Sequence, residues 1–268
     1  MIPLEDNFSD VISKAQRGLR LSDTELAEKA RVSSQKIRQL REGEFDELAV
    51  ARIAPVLGLA ARQLCDLAQG RWQPNNPGSV EGLERFTTNF HDMTVNAYLV
   101  WDPDSKQAIA FDTGADCHTM LNSAKKRQLD IQLILLTHAH PDHIADLARL
   151  REQTGAKVYT PEDEPAPGAE SFEEGKHWQL GKLHIDTRKT WGHSRGGMTY
   201  VVNGLPKKLA IVGDAIFAGS IGRGKQSWDL AKQKVREQIF SLPPETLICP
   251  GHGPLTTVGE EKAHNPFF

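Results

Sequence analysis

Three features are missing from this chain of 268 residues: long apolar runs, paired cysteines and an excess of charge. No stretch approaches the roughly 20 apolar residues that a membrane helix needs, so no membrane association is expected. The first seven residues, Met1 to Asn7, are acidic and have no apolar core, so they do not read as a secretory signal. The cysteines are Cys65, Cys117 and Cys249, odd in number and widely spaced. That spacing excludes a disulfide framework and implies reduced thiols in a cytoplasmic setting. Cys249, just before a Pro-Gly-His turn, reads as a core thiol. A net charge of -3 with 39% hydrophobic residues describes an ordinary globular protein. Internal repeats and low-complexity tracts are also missing.

The clearest punctuation is Gly70-Arg-Trp-Gln-Pro-Asn-Asn-Pro-Gly-Ser79, with two prolines, two glycines and two asparagines. Before it every pattern is helical. Val11, Ile12, Ala15 and Leu19 have helical spacing, and Ser22-Asp-Thr-Glu25 reads as a capping box. A helix follows Val32-Ser-Ser34 with Ile37 and Leu40 inward, and two more cover 50–57 and 61–68. After the joint, strands are expected at 94–101, 108–112, 131–136, 183–186, 198–202, 208–212 and 246–249. Helices are expected near 117–127, 142–153 and 228–240. The boundaries are therefore an all-α unit over 1–69, a linker over 70–82 and a mixed α/β unit over 83–268. The long joint implies that the two units act independently.

The chemistry concentrates in Thr137-His-Ala-His-Pro-Asp-His143, where three imidazoles and a carboxylate fall within six residues. The segment follows the apolar run Ile131 to Leu136. On a strand, side chains at i and i+2 share a face, so His138 and His140 converge. Pro141 ends the ladder, and Asp142 stands where a helix beginning near Ile144 places its first turn. Imidazole nitrogen and carboxylate oxygen suit zinc, iron or manganese. Three further candidates sit on loops that leave strand ends: His193 in a glycine-rich loop, Asp214 after Leu209 to Gly213, and His252 in Pro250-Gly-His-Gly253.

In that order, His138-x-His140-x-Asp142-His143, His193, Asp214 and His252 resemble the metallo-β-lactamase fold superfamily over roughly residues 83–268. The resemblance implies an αββα sandwich of α+β or α/β class, preceded here by a small all-α unit. It implies that His138, His140 and His193 hold one metal. Asp142, His143 and His252 would hold a second, and Asp214 would bridge them. It gives Asp112, in Phe111-Asp-Thr-Gly114, a supporting role. Gly213 to Arg223 and Pro250 to Thr257 are similar to glyoxalase II-type (hydroxyacylglutathione) hydrolases, most of all the compact bacterial kind that ends soon after the last metal histidine. Trp191 departs from the proline common there, and Arg195 beside it reads as solvated.

The expected activity is metal-dependent hydrolysis of a small-molecule thioester or related ester by a hydroxide held between two divalent ions. Zinc is the first choice, with iron or manganese as alternatives. Asp142 is the expected catalytic acid–base group. Two other readings compete. A mononuclear iron persulfide dioxygenase keeps the same histidine-rich stretch. A metal-domain-linked transcription regulator would use the front end, because residues 8–68 resemble a Cro-type (phage-repressor) helix-turn-helix domain. Its recognition helix would offer Ser34, Gln35, Lys36, Arg38 and Gln39 to DNA. The alternative role for these helices is dimerisation or docking, which would make the protein a homodimer. Against DNA, residues 1–72 hold eleven Lys plus Arg and eleven Asp plus Glu, so no basic excess attracts phosphate. Arg31 also occupies the turn position where such modules carry glycine, which implies a positive φ.

Overall fold

The computed structural model describes residues 2–268. Five helices come first: α1 (Phe8–Gly18), α2 (Asp23–Ala30), α3 (Ser34–Arg41), α4 (Glu47–Val56) and α5 (Ala61–Ala68). Side-chain caps set most of their starts. Asn7 accepts from the amides of Ser9 and Asp10, Ser22 from Glu25, Ser33 from Lys36 and Asp46 from Ala49. Arg31 closes α2 at φ 54°, as its turn position requires. No helix among the described residues is long and apolar enough to cross a membrane.

Two six-stranded mixed sheets follow. The first runs β1 (Leu83–Phe90), β2 (Met93–Trp101), β3 (Gln107–Phe111), β4 (Asp130–Leu135), β5 (Lys157–Pro161) and β6 (Glu170–Phe172) in sequence order. Its first three strands are antiparallel neighbours and the rest pair in parallel. The second contains β7 (His177–Leu180), β8 (Leu183–Lys189), β9 (Met198–Asn203), β10 (Leu209–Gly213), β11 (Leu247–Pro250) and β12 (Thr256–Thr257). Within it only β10 and β11 pair in parallel.

Strand alternation assigns the layers. Tyr98, Val100, Ile109, Phe111, Tyr200, Ile211 and Cys249 fill the space between the sheets. Ala97, Leu99, Trp101 and Ile134 face outward under α6 (His118–Arg127) and α8 (Leu147–Thr154). On the far side Val201, Ala210, Val212 and Ile248 meet α1–α5, α9 (Trp228–Lys234) and α10 (Val258–His264). The order is thus helices, sheet, sheet, helices, as expected.

The front helices do not stand apart, which corrects the expectation of independent units. Val11, Ile12, Leu26, Ile37, Ile53 and Leu64 share one buried cluster with Val212, Trp228, Ile239 and Phe267. The joint itself is pinned down. Trp72 stacks on His264 at 5.2 Å, and Asn75 donates to Glu260 from both backbone and side chain.

Two element boundaries also differ. The helix expected over 142–153 is broken into α7 (Pro141–Ile144) and α8. At the break the Asp146 amide donates to Thr113 Oγ1 and its carboxylate accepts from the Cys117 amide. Strand β4 ends at Leu135, so His138 and His140 lie on a loop beyond it rather than on strand positions. Because the front helices and the second sheet share a core, Ile12→Ala is expected to cost about 2–5 kcal/mol. It should lower one common transition, read as coincident thermal unfolding by circular dichroism and tryptophan fluorescence. A separate early helical transition would contradict this.

Candidate metal centre

The seven candidate ligands arrive on four segments, the stretch after β4 and the loops after β8, β10 and β11, and meet at one end of the sandwich. His138, His140, His193 and Asp214 form one group, and Asp142, His143 and His252 a second. In the first, His140 Nδ1 lies 2.9 Å from His138 Nε2 and 3.0 Å from His193 Nε2. Asp214 Oδ2 is 3.3 Å from His193 Nε2 and 4.0 Å from His138 Nε2. In the second, Asp142 Oδ2 is 3.5 Å from His143 Nε2 and 3.4 Å from His252 Nε2. Asp214 touches this group as well, with Oδ2 at 3.4 Å from His252 and Oδ1 at 3.3 Å from His143. Donors about 2.1 Å from one tetrahedral ion stand about 3.4 Å apart, so the spacing suits a divalent cation in each group.

Four of the five histidines have their outward ring nitrogen engaged, and this aims the inner ones. His143 Nδ1 contacts Asp112 Oδ2 at 2.8 Å, and His193 Nδ1 contacts the Arg223 carbonyl at 3.0 Å. His252 Nδ1 meets the Thr94 carbonyl, and His138 Nδ1 meets Thr137 Oγ1 at 3.0 Å. Thr137 in turn donates its hydroxyl and amide to Asp112. Asp112 therefore orients the ligand loop without entering it, in the supporting role the resemblance implied, and its φ of 57° marks stored backbone strain. Two inward atoms, His143 Nε2 and Asp214 Oδ1, are buried without a hydrogen-bond partner. A cation would satisfy both. The backbone leaves room for it only as glycine at 251, where an added Cβ would stand 2.3 Å from Asp214 Oδ1 and 2.6 Å from His143 Cε1.

Some supporting residues gave no signal in the sequence. Glu164 accepts from the Ala139 amide at 3.1 Å and the Gly196 amide at 2.9 Å, so one carboxylate joins the His138–His140 and His193 loops. Glu5, Lys14, Asp92, Arg223 and Lys225 line a cleft of about 440 Å³ that also exposes His140, Asp142, His193, Asp214 and His252. Glu164 and Glu5 were not legible, since a lone carboxylate distant in sequence has no marking feature. The proposed DNA-contacting set, Ser34, Gln35, Lys36, Arg38 and Gln39, lies on α3 and does not line this cleft. Arg195 is exposed and also outside it. Cys249 is buried between the sheets, where desolvation pushes its thiol well up.

Electrostatics separate the two groups. Burial drives His138 well below its ordinary value and His193 down to about 4, so both are neutral near pH 7. Burial also pulls on His143 and His252, but Asp112 and Asp214 more than offset it for His143, holding it at about 10. Asp214 and Asp142 hold His252 at about 11. Burial pushes Asp214 up, yet His252, His143 and His193 keep it well below the usual carboxylate range. Burial likewise raises Glu5 to about 7, against the pull of His252, and a cation nearby would bring it back down. Near pH 7 the second group therefore holds two protons that a metal must displace. Affinity should rise as pH climbs toward 10, because the raised imidazoles shed those protons. Titration calorimetry in buffers of different ionisation heat should show about two protons released on full loading. Release of none would contradict the charge assignment.

Comparison with known proteins agrees with this geometry. The family model described as the Metallo-beta-lactamase superfamily matches residues 92–252. The probable metallo-hydrolase YqgX of Bacillus subtilis is 34% identical over 199 residues, covering 65% of this chain and 92% of that protein. The hydroxyacylglutathione hydrolase GloC of Haemophilus influenzae is 26% identical over 198 residues, again 65% and 92%. The crystal structure of the BLEG-1 B3 metallo-beta-lactamase superimposes at a TM-score of 0.62 and 28% identity, over 69% of this chain and 98% of that one. Helices α1–α5 fall outside the family match. The ligand order, the sandwich and the family match together make this chain a member of the metallo-beta-lactamase superfamily.

Proposed function

We propose that the protein is a two-metal hydrolase of small thioesters or related esters, of the hydroxyacylglutathione type. The observation that carries the reading is the position of Asp214, whose carboxylate contacts both ligand groups. The kinship with a hydroxyacylglutathione hydrolase supports the substrate class. His138, His140 and His193 would hold one cation and Asp142, His143 and His252 the other, with Asp214 between them. Zinc suits this donor set best, and iron and manganese share its ligands.

When bound, two such ions would polarise the acyl carbonyl and lower the pKa of water from about 16 toward 7. Asp142 lines the cleft, and contacts with His252 and His143 outweigh its burial and keep it ionised. It can take a proton from the attacking water as the bond to the acyl carbon forms. As the carbon–sulfur bond breaks, it returns that proton to the leaving thiolate, giving a carboxylic acid and a thiol. The buried rings oriented by Asp112, Thr94 and Arg223 keep the site in register during this exchange.

Purified protein holding two metals per chain should hydrolyse S-lactoylglutathione, followed as thiol release. Asp142→Asn, assayed with excess metal and its metal content checked by mass spectrometry, should lose roughly 100-fold or more in kcat. A single iron per chain, with oxygen uptake on glutathione persulfide, would overturn the reading in favour of an oxygenase.

A second reading, DNA binding through the front helices, is favoured by the three-residue turn between α2 and α3. Its left-handed Arg31 leaves Gln35 and Arg38 exposed on the helix that follows. Lys36 is already paired with Asp46 at 2.9 Å, and Arg41 with Asp23 at 2.8 Å. Binding would therefore depend on few cations and be weak. Fluorescence anisotropy on duplex DNA should show affinity at low salt that falls with a shallow salt slope, by about one unit in Arg38→Ala. No binding at low salt would remove this reading.

A further inference from the structure

The amino-terminal segment lies against the metal cleft, although it precedes the family match. It is fixed there by a closed polar network. Asp6 accepts from Lys14 and from Ser220 Oγ, and Lys14 Nζ also donates to the Ile221 carbonyl at 2.9 Å. The Lys14 ammonium stands 5.1 Å from the Phe217 ring centre, and that ring meets His252 edge-on at 5.5 Å. The loop Asp214 to Arg223 and helix α1 are thereby locked together. Gly253 packs so closely that an added Cβ would lie 3.2 Å from the Glu5 nitrogen.

The network neutralises Asp6 and Lys14 and leaves Glu5 over. Its carboxylate faces the cleft 4.0 Å from His252 Nδ1 and has no lysine or arginine partner within 4.0 Å among the described residues. Asp92, exposed on the turn between β1 and β2, lines the same cleft and has no cationic partner within 4.0 Å among the described residues, with the partly exposed Met93 beside it. The remaining unpaired charges, Arg223 and Lys225, belong to the loop whose Arg223 carbonyl holds His193. The cleft is thus acidic on its His252 side and basic on its His193 side. Between the two sides lies the buried Asp214, whose Oδ2 is 3.3 Å from His193 and 3.4 Å from His252.

We propose that the amino-terminal segment is a specificity wall, and that Glu5, with Asp92, selects thioesters or esters bearing a cationic arm. The inference rests on the hydrolase reading for its scissile bond and goes beyond it by assigning the arm that lies over the His252 side. A carboxylate fixed in a cleft shielded from bulk water attracts a cation more strongly than one on an open surface.

The test compares acetylthiocholine with its uncharged isostere, 3,3-dimethylbutyl thioacetate. Wild type should favour the cationic ester in kcat/KM. In Glu5→Gln the ratio of the two values should fall about fivefold, and in Glu5→Lys it should fall further. A ratio cancels any general loss of turnover, and matched metal content by mass spectrometry excludes an effect through His252. A second readout needs no turnover: choline should bind the metal-loaded protein more tightly than 3,3-dimethylbutanol by saturation-transfer NMR, and Glu5→Gln should erase the difference. If neither thioester is cleaved but choline discrimination holds, the hydrolase reading fails and the wall stands. If the kcat/KM ratio is unchanged in both variants and choline shows no preference, the wall is refuted.

Discussion

The organisation of this site depends on one buried carboxylate. Asp214 is buried, contacts imidazoles from three other segments and leaves one oxygen without a hydrogen bond. An ionised carboxylate removed from water must be compensated, by protons on neighbouring imidazoles or by cations. Protonated His143 and His252 supply that compensation in the metal-free protein, and metals would replace them. The surrounding backbone is shaped around the same atom. An added Cβ at 251 would strike Asp214 Oδ1, and one at 222 would stand 1.9 Å from the Asp214 carbonyl oxygen. Glycine at those two positions is a steric consequence of bringing a strand end, a turn and a carboxylate to one point.

The legibility of the site in the sequence follows from the same chemistry. Candidate metal ligands are drawn from few residue types, so His138, His140, Asp142 and His143 stood out by crowding, and His193, Asp214 and His252 by their place after strands. Glu164 and Glu5 could not be found this way. Glu164 acts by accepting from two backbone amides, and any glutamate looks alike until the loops of Ala139 and Gly196 are placed beside it. Of the strands that were missed, all but the interior β5 share a related cause. β1 alternates weakly, with only Phe86 fully enclosed, and β6, β7 and β12 are short edge pieces with few buried side chains. The strands recognised beforehand, such as β2 and β10, are buried along nearly their whole length.

The helical front end shows a different limit. Its amphipathic spacing and caps were readable, but a buried face does not say what buries it. The counterpart information lay far downstream. All five residues of β10 are enclosed, and Ala210 and Val212 point away from the neighbouring sheet. A strand buried on both faces requires a cover on each, and that requirement is most severe where β10 and β11 pair in parallel. Helices α1–α5, with α9 and α10, provide this cover.

That burial constrains whatever else the front helices do. Undocking them would expose Val201, Ala210, Val212, Ile216 and Ile248 together, a contiguous apolar surface that a monomer in water does not tolerate. Undocking would also pull Asp6 and Lys14 away from Ser220 and Ile221, in the loop that follows Asp214. Any role for the exposed face of α3 must therefore be exercised with the helices in place. In that docked state the α1 end of the unit is coupled to the metal cleft through Lys14, Phe217 and His252. A ligand that stiffens this wall and a partner that grips the front helices would thus act on one packed body, not on two modules joined by a tether.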